Sequence, residues 1–286
     1  MLRNSTRHAP FVAGGLIEPK RLEYVRLAEE KATENGYLER FKGRADDYSK
    51  NRPGYPQEFL DILEDEFGFN KGDVVADIGS GTGILSEMFL KNGNRVYCVE
   101  PNLDMRRVAE ERLKRYTPRF VSVDGRAEST GLRSRGIDLV TVGQALHWFD
   151  PDRTRAEFAR IVREGGHVAI VYNYRRSRST AERAYAALVS KYERDRVSAH
   201  YAKDAFVKRF LGKGGIRKFV VPTSQSLDLK GLLGRLASSS YMPRRGTKGW
   251  TDVEENASKM IREHGKRGTL VLHYDTTMYV GSTLLG

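Results

Sequence analysis

The chain of 286 residues has one cysteine, Cys98, and no acidic residue before Glu18. A lone cysteine excludes an intramolecular disulfide, and nothing in the sequence points to an oxidising compartment. No run approaches the roughly 18–20 consecutive apolar residues that cross a bilayer, so no membrane partner is expected. Clusters of His, Cys, Asp and Glu at metal-ligand spacing are also missing, which sets a metal-dependent mechanism aside. The opening stretch, Met1 to Ile17, carries Arg3, Arg7 and His8 but lacks the continuous apolar core of a secretory signal. Short and broken by glycine and proline, it is also a poor organelle leader, so a cytoplasmic location is expected. Negative charge is scarce: 49 Lys and Arg face 37 Asp and Glu, a net charge of +12. Such an excess favours an acidic partner, whether nucleic acid, an anionic surface or an anionic metabolite, and charge alone does not choose.

What the chain does have is a glycine-rich turn between two regular elements. Val74-Val75-Ala76-Asp77-Ile78 reads as a buried strand, Gly79-Ser80-Gly81-Thr82-Gly83 as a turn, and Ile84–Asn92 as a helix. Glycines there let the backbone take positive φ and approach a ligand with no Cβ in the way. The helix that follows offers unpaired N–H groups and a positive dipole end. A second strand-like run, Arg95 to Val99, is followed by Glu100, placed where a carboxylate reaches the two hydroxyls of a ribose. The dinucleotide fingerprint is G-x-G-x-x-G, whereas these glycines run G-x-G-x-G behind Asp77, which is weak by itself.

Strand and helix signals alternate from here. Strands are expected at Asp73–Ile78, Arg95–Glu100, Phe120–Asp124, Ile137–Gly143 and His167–Tyr172, which implies a parallel sheet covered on both faces. Helices are expected at Pro56–Phe67, Ile84–Asn92, Leu103–Tyr116 and Pro151–Arg163, with a short turn near Glu128–Leu132. Gly165-Gly166 fits the end of that last helix and a tight turn into a strand. Beyond Tyr172 the alternation stops. A basic, helix-prone stretch holds Ala181–Tyr192 and Ala205–Leu211, strand character resumes at Phe219–Val221, and helices follow near Leu229–Ser239 and Thr251–His264. The β-branched run Thr269–Val280 closes the chain's regular structure, and two late strands without a crossover imply an antiparallel edge. Upstream, an entry segment contains a charged helix, Pro19–Asn35.

Three further blocks carry a resemblance. They are Ala45-Asp46-Asp47-Tyr48-Ser49-Lys50-Asn51-Arg52-Pro53-Gly54-Tyr55-Pro56, Gly143-Gln144-Ala145-Leu146-His147-Trp148-Phe149, and Ser239-Ser240-Tyr241-Met242-Pro243 with the Tyr274–Val280 strand. With the glycine loop, they resemble the class I S-adenosylmethionine-dependent methyltransferases, in the trans-aconitate methyltransferase-like, methyltransferase type 11 branch. The resemblance implies an α/β, Rossmann-like sheet of seven mostly parallel strands with an antiparallel last strand and a helical lid. Residues 1–40 would be an N-terminal extension, 41–286 the methyltransferase domain, and 174–250 would include the lid over the substrate. The implied cofactor is S-adenosyl-L-methionine. Gly79, Gly81 and Gly83 would shape the loop around its methionine part, Asp77 would support that loop and the amino group, and Glu100 would bind the ribose. Gln144 and Ala145 would line the cleft near the sulfonium. Tyr48 and Arg52 would close over the methionine end or simply pin the entry segment. One block departs from the pattern. Arg126 stands where relatives often carry an acid, so Ala127 would offer its N–H to adenine and either Asp124 or Glu128 would accept from the amino group.

Two chemistries stay open for the acceptor. A carboxylate nucleophile is already ionised and needs cations to hold it, which Arg175, Arg176, Arg178, Arg244 and Arg245 could supply, although a solvated surface is the commoner fate of any one of them. A hydroxyl or amine needs a base, and His147 is best placed for that, the alternative being that His147 and Trp148 pack the strand-to-helix corner and orient the cleft; Trp148 could also stack on substrate. The expected partner is a small-molecule acceptor, anionic or hydroxyl-bearing. Nucleic acid is disfavoured, because neither D/N-P-P-Y/F after the fourth strand nor a Pro-Cys nucleophile is present. An RNA or DNA methyltransferase and a non-catalytic S-adenosylmethionine-binding protein are the alternatives.

Overall fold

The structure is a computed structural model and describes residues 43–192, 204–212 and 215–282. The expected helix Pro19–Asn35 lies outside the described residues. Seven strands form one sheet: β1 (Val74–Ile78), β2 (Arg95–Val99), β3 (Phe120–Val123), β4 (Ile137–Gly143), β5 (Val162–Arg175), β6 (Arg217–Leu227) and β7 (Leu270–Ser282). Their order is β3-β2-β1-β4-β5-β7-β6. The first five run parallel, and β7 is antiparallel to both β5 and β6. This is the expected seven-stranded, mostly parallel sheet.

Helices cover both faces. The described ones are α1 (Ala45–Asn51), α2 (Glu58–Phe67), α3 (Ile84–Asn92), α4 (Leu103–Leu113), α5 (Pro151–Ile161), α6 (Thr180–Ser190), α7 (Asp204–Leu211), α8 (Leu229–Ala237) and α9 (Lys248–His264). Because both faces are buried, central strands read as continuous apolar runs whose alternate residues serve different cores. Ala76, Ile78, Val140 and Ile170 pack against Phe158 of α5 and Phe210 of α7. Val75, Cys98, Leu139 and Val171 pack against Phe59 and Leu63 of α2 and Phe89 of α3. Cys98 is free and buried, and burial pushes its thiol far above the ordinary range.

A third core is separate from these. Tyr185 and Leu188 of α6, Leu232 and Leu236 of α8, and Trp250, Val253 and Ala257 of α9 pack on Leu227, Leu270 and Tyr274, where β6 ends and β7 begins. It is therefore built beyond Tyr172, where the strand–helix alternation stops.

Sequence capping signals explain several helix starts. Asn102 accepts from Met105 N at 3.1 Å, Asp150 precedes Pro151 and accepts from Arg153 N at 3.0 Å, and Ser179 with Glu182 forms a capping box. Several boundaries differ from expectation. Helix α4 stops at Leu113 and continues as a 3-10 turn, Lys114–Tyr116. Helix α5 stops at Ile161, two residues before Arg163. Gly165-Gly166 is not a helix end. Strand β5 already pairs at Val162 with Ile137, bulges outward through Gly165 at φ 74°, and re-enters register at His167 with Leu139. Strand β6 is longer than Phe219–Val221 because it is an edge held by backbone pairing to β7, which tolerates Pro222 and its polar neighbours. No described helix is long and apolar enough to cross a membrane.

Candidate functional site

The turn after β1 lies at the carboxyl end of the sheet, where ligands bind in open α/β folds. Gly79, Gly81 and Gly83 all have positive φ, at 66°, 56° and 76°. Their surroundings differ. A Cβ on Gly79 would sit 2.8 Å from Ala145 Cβ, and one on Gly83 would sit 2.5 Å from Leu113 Cδ1, whereas one on Gly81 would meet nothing within 4 Å. The loop is thus pinned at both ends and open at its centre. Gly79 N donates to Val99 O at 2.9 Å, which ties the turn to β2. Helix α3 then starts with no side-chain cap. The Ser80 and Thr82 hydroxyls are buried without a hydrogen-bond partner.

Glu100 stands against the open centre. Its Oε2 accepts from Gly81 N at 2.9 Å and its Oε1 from Asn102 N at 2.8 Å. Burial raises its carboxyl to about 7, against the pull of those two N–H groups and Arg106. Asp77 lies beneath the loop, 1% exposed, accepting from Ser86 Oγ at 2.5 Å and Thr141 Oγ1 at 3.1 Å. Burial lifts it to about 6 while those two hydroxyls pull down. Ser86 and Thr141 are partners of Asp77 that pattern reading missed. Their only signal was a hydroxyl inside an apolar helix face and an apolar strand.

Beyond β3 the chain makes a tight turn, with Arg126 N and Ser129 N each donating to the other's carbonyl at 3.1 Å. Ala127 is buried within it. Arg106 takes both Asp124 carboxylate oxygens at 3.0 and 2.9 Å, and Glu128 Oε1 accepts from Asp150 N at 2.8 Å. At the end of β4, Gln144 adopts φ 59° and donates its N–H to Val171 O at 3.0 Å. A non-glycine residue there is uncommon, and such conformations cluster at functional sites. His147 and Trp148 form a 3-10 turn with ring centroids 4.8 Å apart, and Trp148 packs on the first core. Tyr55 closes the gap above: a Cβ on Gly143 would sit 2.7 Å from its hydroxyl.

The entry segment is held by the C-terminal block. Arg44 donates to Ala237 O, Ser239 O and Met242 O at 2.5, 2.9 and 2.7 Å. Arg52 donates from Nε to Ser238 Oγ and from Nη2 to Ser238 O, both at 3.0 Å, and its guanidinium lies 4.7 Å from the Tyr48 ring centre. These are the contacts that pin the segment. Of the five arginines expected near the lid, Arg176 pairs with Asp275 and Arg245 with Asp47, and Arg178 and Arg244 are exposed. Arg175 alone turns inward, 5.1 Å over the Tyr185 ring. Arg235 of α8, which no motif singled out, is buried beside it. Among the described residues no cluster of three side chains could hold a metal ion.

Residues 76–170 match the family model for a methyltransferase domain. An uncharacterised methyltransferase of Mycobacterium bovis is 37% identical over 131 residues, 46% of this chain and 51% of that protein. One from Schizosaccharomyces pombe is 29% identical over 136 residues, 47% of this chain and 53% of that protein. The matched stretch thus spans about half the length of these curated relatives. Among solved structures, a provisionally assigned type II methyltransferase of Anaeromyxobacter dehalogenans superposes with TM-score 0.61 at 22% identity, covering 82% of this chain and 99% of that one. A provisionally assigned methyltransferase from an antibiotic biosynthesis pathway of Anabaena variabilis gives 0.57 at 19%, covering 81% and 98%. At such identities these likenesses speak to the fold. The glycine loop, the helix after it and the β4 rim all fall inside the residues that match the methyltransferase-domain model, and the whole sheet has the fold of those solved structures.

Proposed function

We propose that this protein transfers a methyl group from S-adenosylmethionine to a small-molecule acceptor that is anionic or hydroxyl-bearing. The observation that carries this reading is the open centre of the loop at Gly81, with the buried Glu100 carboxylate bonded to its N–H. A nucleoside with two vicinal hydroxyls and a charged tail suits that pairing of bare backbone with a buried acceptor. The partnerless hydroxyls of Ser80 and Thr82 fit a polar ligand there. When bound, the cofactor supplies a methyl on a positively charged sulfur.

The chain's own residues then bind, orient and exclude water. Glu100 accepts from the ribose hydroxyls. Gly79 and Gly83 keep the loop in shape while Gly81 admits the ligand, and Asp77 braces that loop through Ser86 and Thr141. Ala127 N–H and Glu128 take the adenine, since Arg106 already occupies both Asp124 oxygens. Gln144, in its left-handed conformation, lines the cleft beside the transferring group, and Tyr48 with Arg52 closes it from the entry segment. The helices of the third core act as the lid. His147 serves as base for a hydroxyl acceptor and Trp148 orients it, while a carboxylate acceptor needs no base. Alignment in a water-poor cleft can supply several kcal/mol, with about 7–11 as the upper range.

Calorimetric titration with S-adenosylhomocysteine tests the cofactor site, and transfer of label from methyl-labelled cofactor to a metabolite pool tests the activity. Glu100→Ala should weaken cofactor affinity at least about tenfold, since each lost bond to a charged acceptor is worth about 1.5–3 kcal/mol. Saturable binding without labelled product would leave a cofactor-binding protein that is not an enzyme. Unchanged affinity in Glu100→Ala would remove the ribose assignment.

A further inference from the structure

Above the end of β5, guanidinium groups from separate segments gather with phenols and no acid. Arg235 of α8 is 3% exposed, and its Nε is buried without a hydrogen-bond partner. Its Nη1 reaches Ser239 Oγ at 3.4 Å, the same hydroxyl that Arg52 Nη2 reaches at 3.3 Å. Arg175 lies over the face of Tyr185, whose hydroxyl is also buried and without a partner. Tyr241 sits among all three arginines. Burial would raise its phenol, yet Arg175, Arg52 and Arg235 together hold it below its ordinary value. Among the described residues none of these three guanidiniums has a carboxylate partner, unlike Arg176 and Arg245 nearby.

A purely structural account covers part of this. Arg44 and Arg52 satisfy carbonyls at the end of α8, as a helix terminus requires. It does not cover Arg235 and Arg175. Burying like charges together is costly unless something negative compensates, and among the described residues only phenols, those of Tyr185, Tyr241 and Tyr274, face Arg175 and Arg235. Guanidinium forks that meet only hydroxyls and no carboxylate, with the Arg235 Nε wholly unpaired, are the arrangement that recognises carboxylate or phosphate.

The cluster also adjoins the reaction centre. Tyr55 lies within electrostatic reach of both Asp77 and Arg52, and its hydroxyl abuts Gly143 at the end of β4. We infer that Arg175, Arg235 and Arg52, with the Tyr185 and Tyr241 hydroxyls, form a binding site for an oxyanion group of the methyl acceptor, so that the substrate is a small metabolite bearing a carboxylate or a phosphate. This rests on the methyl-transfer reading above, and it narrows the acceptor to the anionic class.

The test is calorimetry on the intact protein at matched chloride, with succinate, inorganic phosphate and uncharged succinamide as titrants, and S-adenosylhomocysteine titrated separately. At least one of the two anions should bind saturably at millimolar concentration and succinamide should not; which anion binds distinguishes carboxylate from phosphate. Arg175→Ala, at a half-buried position, should weaken that anion at least about tenfold, with Arg175→Lys intermediate and S-adenosylhomocysteine affinity unchanged in both. The inference is overturned if neither anion saturates the wild type, if succinamide binds equally, or if Arg175→Ala binds the anion as tightly as wild type. Anion binding that persists while S-adenosylhomocysteine fails to bind would sink the methyl-transfer reading and spare the anion site.

Discussion

Gly79, Gly81 and Gly83 look alike in the sequence, but each answers to a different constraint. All three need positive φ, where an L side chain costs roughly 1–2 kcal/mol. Gly83 additionally admits Leu113, whose Cδ1 would lie 2.5 Å from a new Cβ. Gly83→Ala should therefore lose about 2–4 kcal/mol of stability, from strain plus overpacking. Gly81→Ala should lose only about 1–2 kcal/mol, from strain alone, yet weaken cofactor binding about tenfold or more by filling the open approach. Urea unfolding paired with cofactor titration of both variants separates the two roles. Equal loss of affinity at equal stability would show that the distinction between them is wrong. The sequence revealed that glycine was needed at these positions. It could not say which one faces a ligand, because Leu113 comes from another helix.

Helix α1 illustrates what happens at the scale of an element. It has seven residues and only Ala45 fully buried, too little to stay docked by apolar burial alone. Arg44 holds it in place through three carbonyls, one at the last residue of α8 and two in the segment that follows. Gln225 Nε2 adds a bond to Asn51 O at 2.8 Å. Arg44→Ala should cost about 2–4 kcal/mol, three bonds to a charged donor less partial rehydration of the carbonyls. Limited proteolysis should then cut first near residue 50, and a cleavage pattern unchanged from wild type would contradict the role given to Arg44. The entry signature and the Ser239–Pro243 block were both legible as motifs. That one exists to hold the other was not, since nearly 200 residues separate Arg44 from its acceptors.

At the scale of the whole molecule, buried carboxyls among the described residues pull the pH dependence of stability in opposite directions. Asp77 and Glu100 are held by burial at about 6 and about 7, above their ordinary values. The folded chain therefore binds more protons than the unfolded one between those limits, and stability falls as pH rises through them. Glu157 and Glu182 lie on the other side. Burial would raise them, but Arg160 with Thr130, and Ser179 N–H with His273, bring both down to about 2. Their contribution is present above the unfolded value and is lost on acidification toward 2. The cofactor-free protein should be most stable near about pH 5 and lose on the order of 1–3 kcal/mol per raised group toward neutrality. Thermal melts from acid to neutral pH should show this fall, and Glu100→Gln should flatten it. A wild-type melting temperature that rises steadily to pH 8 would refute the assignment.

The sequence by itself determined the alternation of elements, the sheet they make, the loop after the first strand and the acid after the second. These are local signals: apolar period, turn chemistry and capping act within a few residues of one another. Tertiary structure alone decided that Ser86 and Thr141 brace Asp77, that Arg106 occupies Asp124, and that Arg52, Arg175 and Arg235 converge. A buried charge declares itself only through the neighbours that desolvate and pair it. Here those neighbours come from strands and helices far apart in the chain, so no window of sequence contains them.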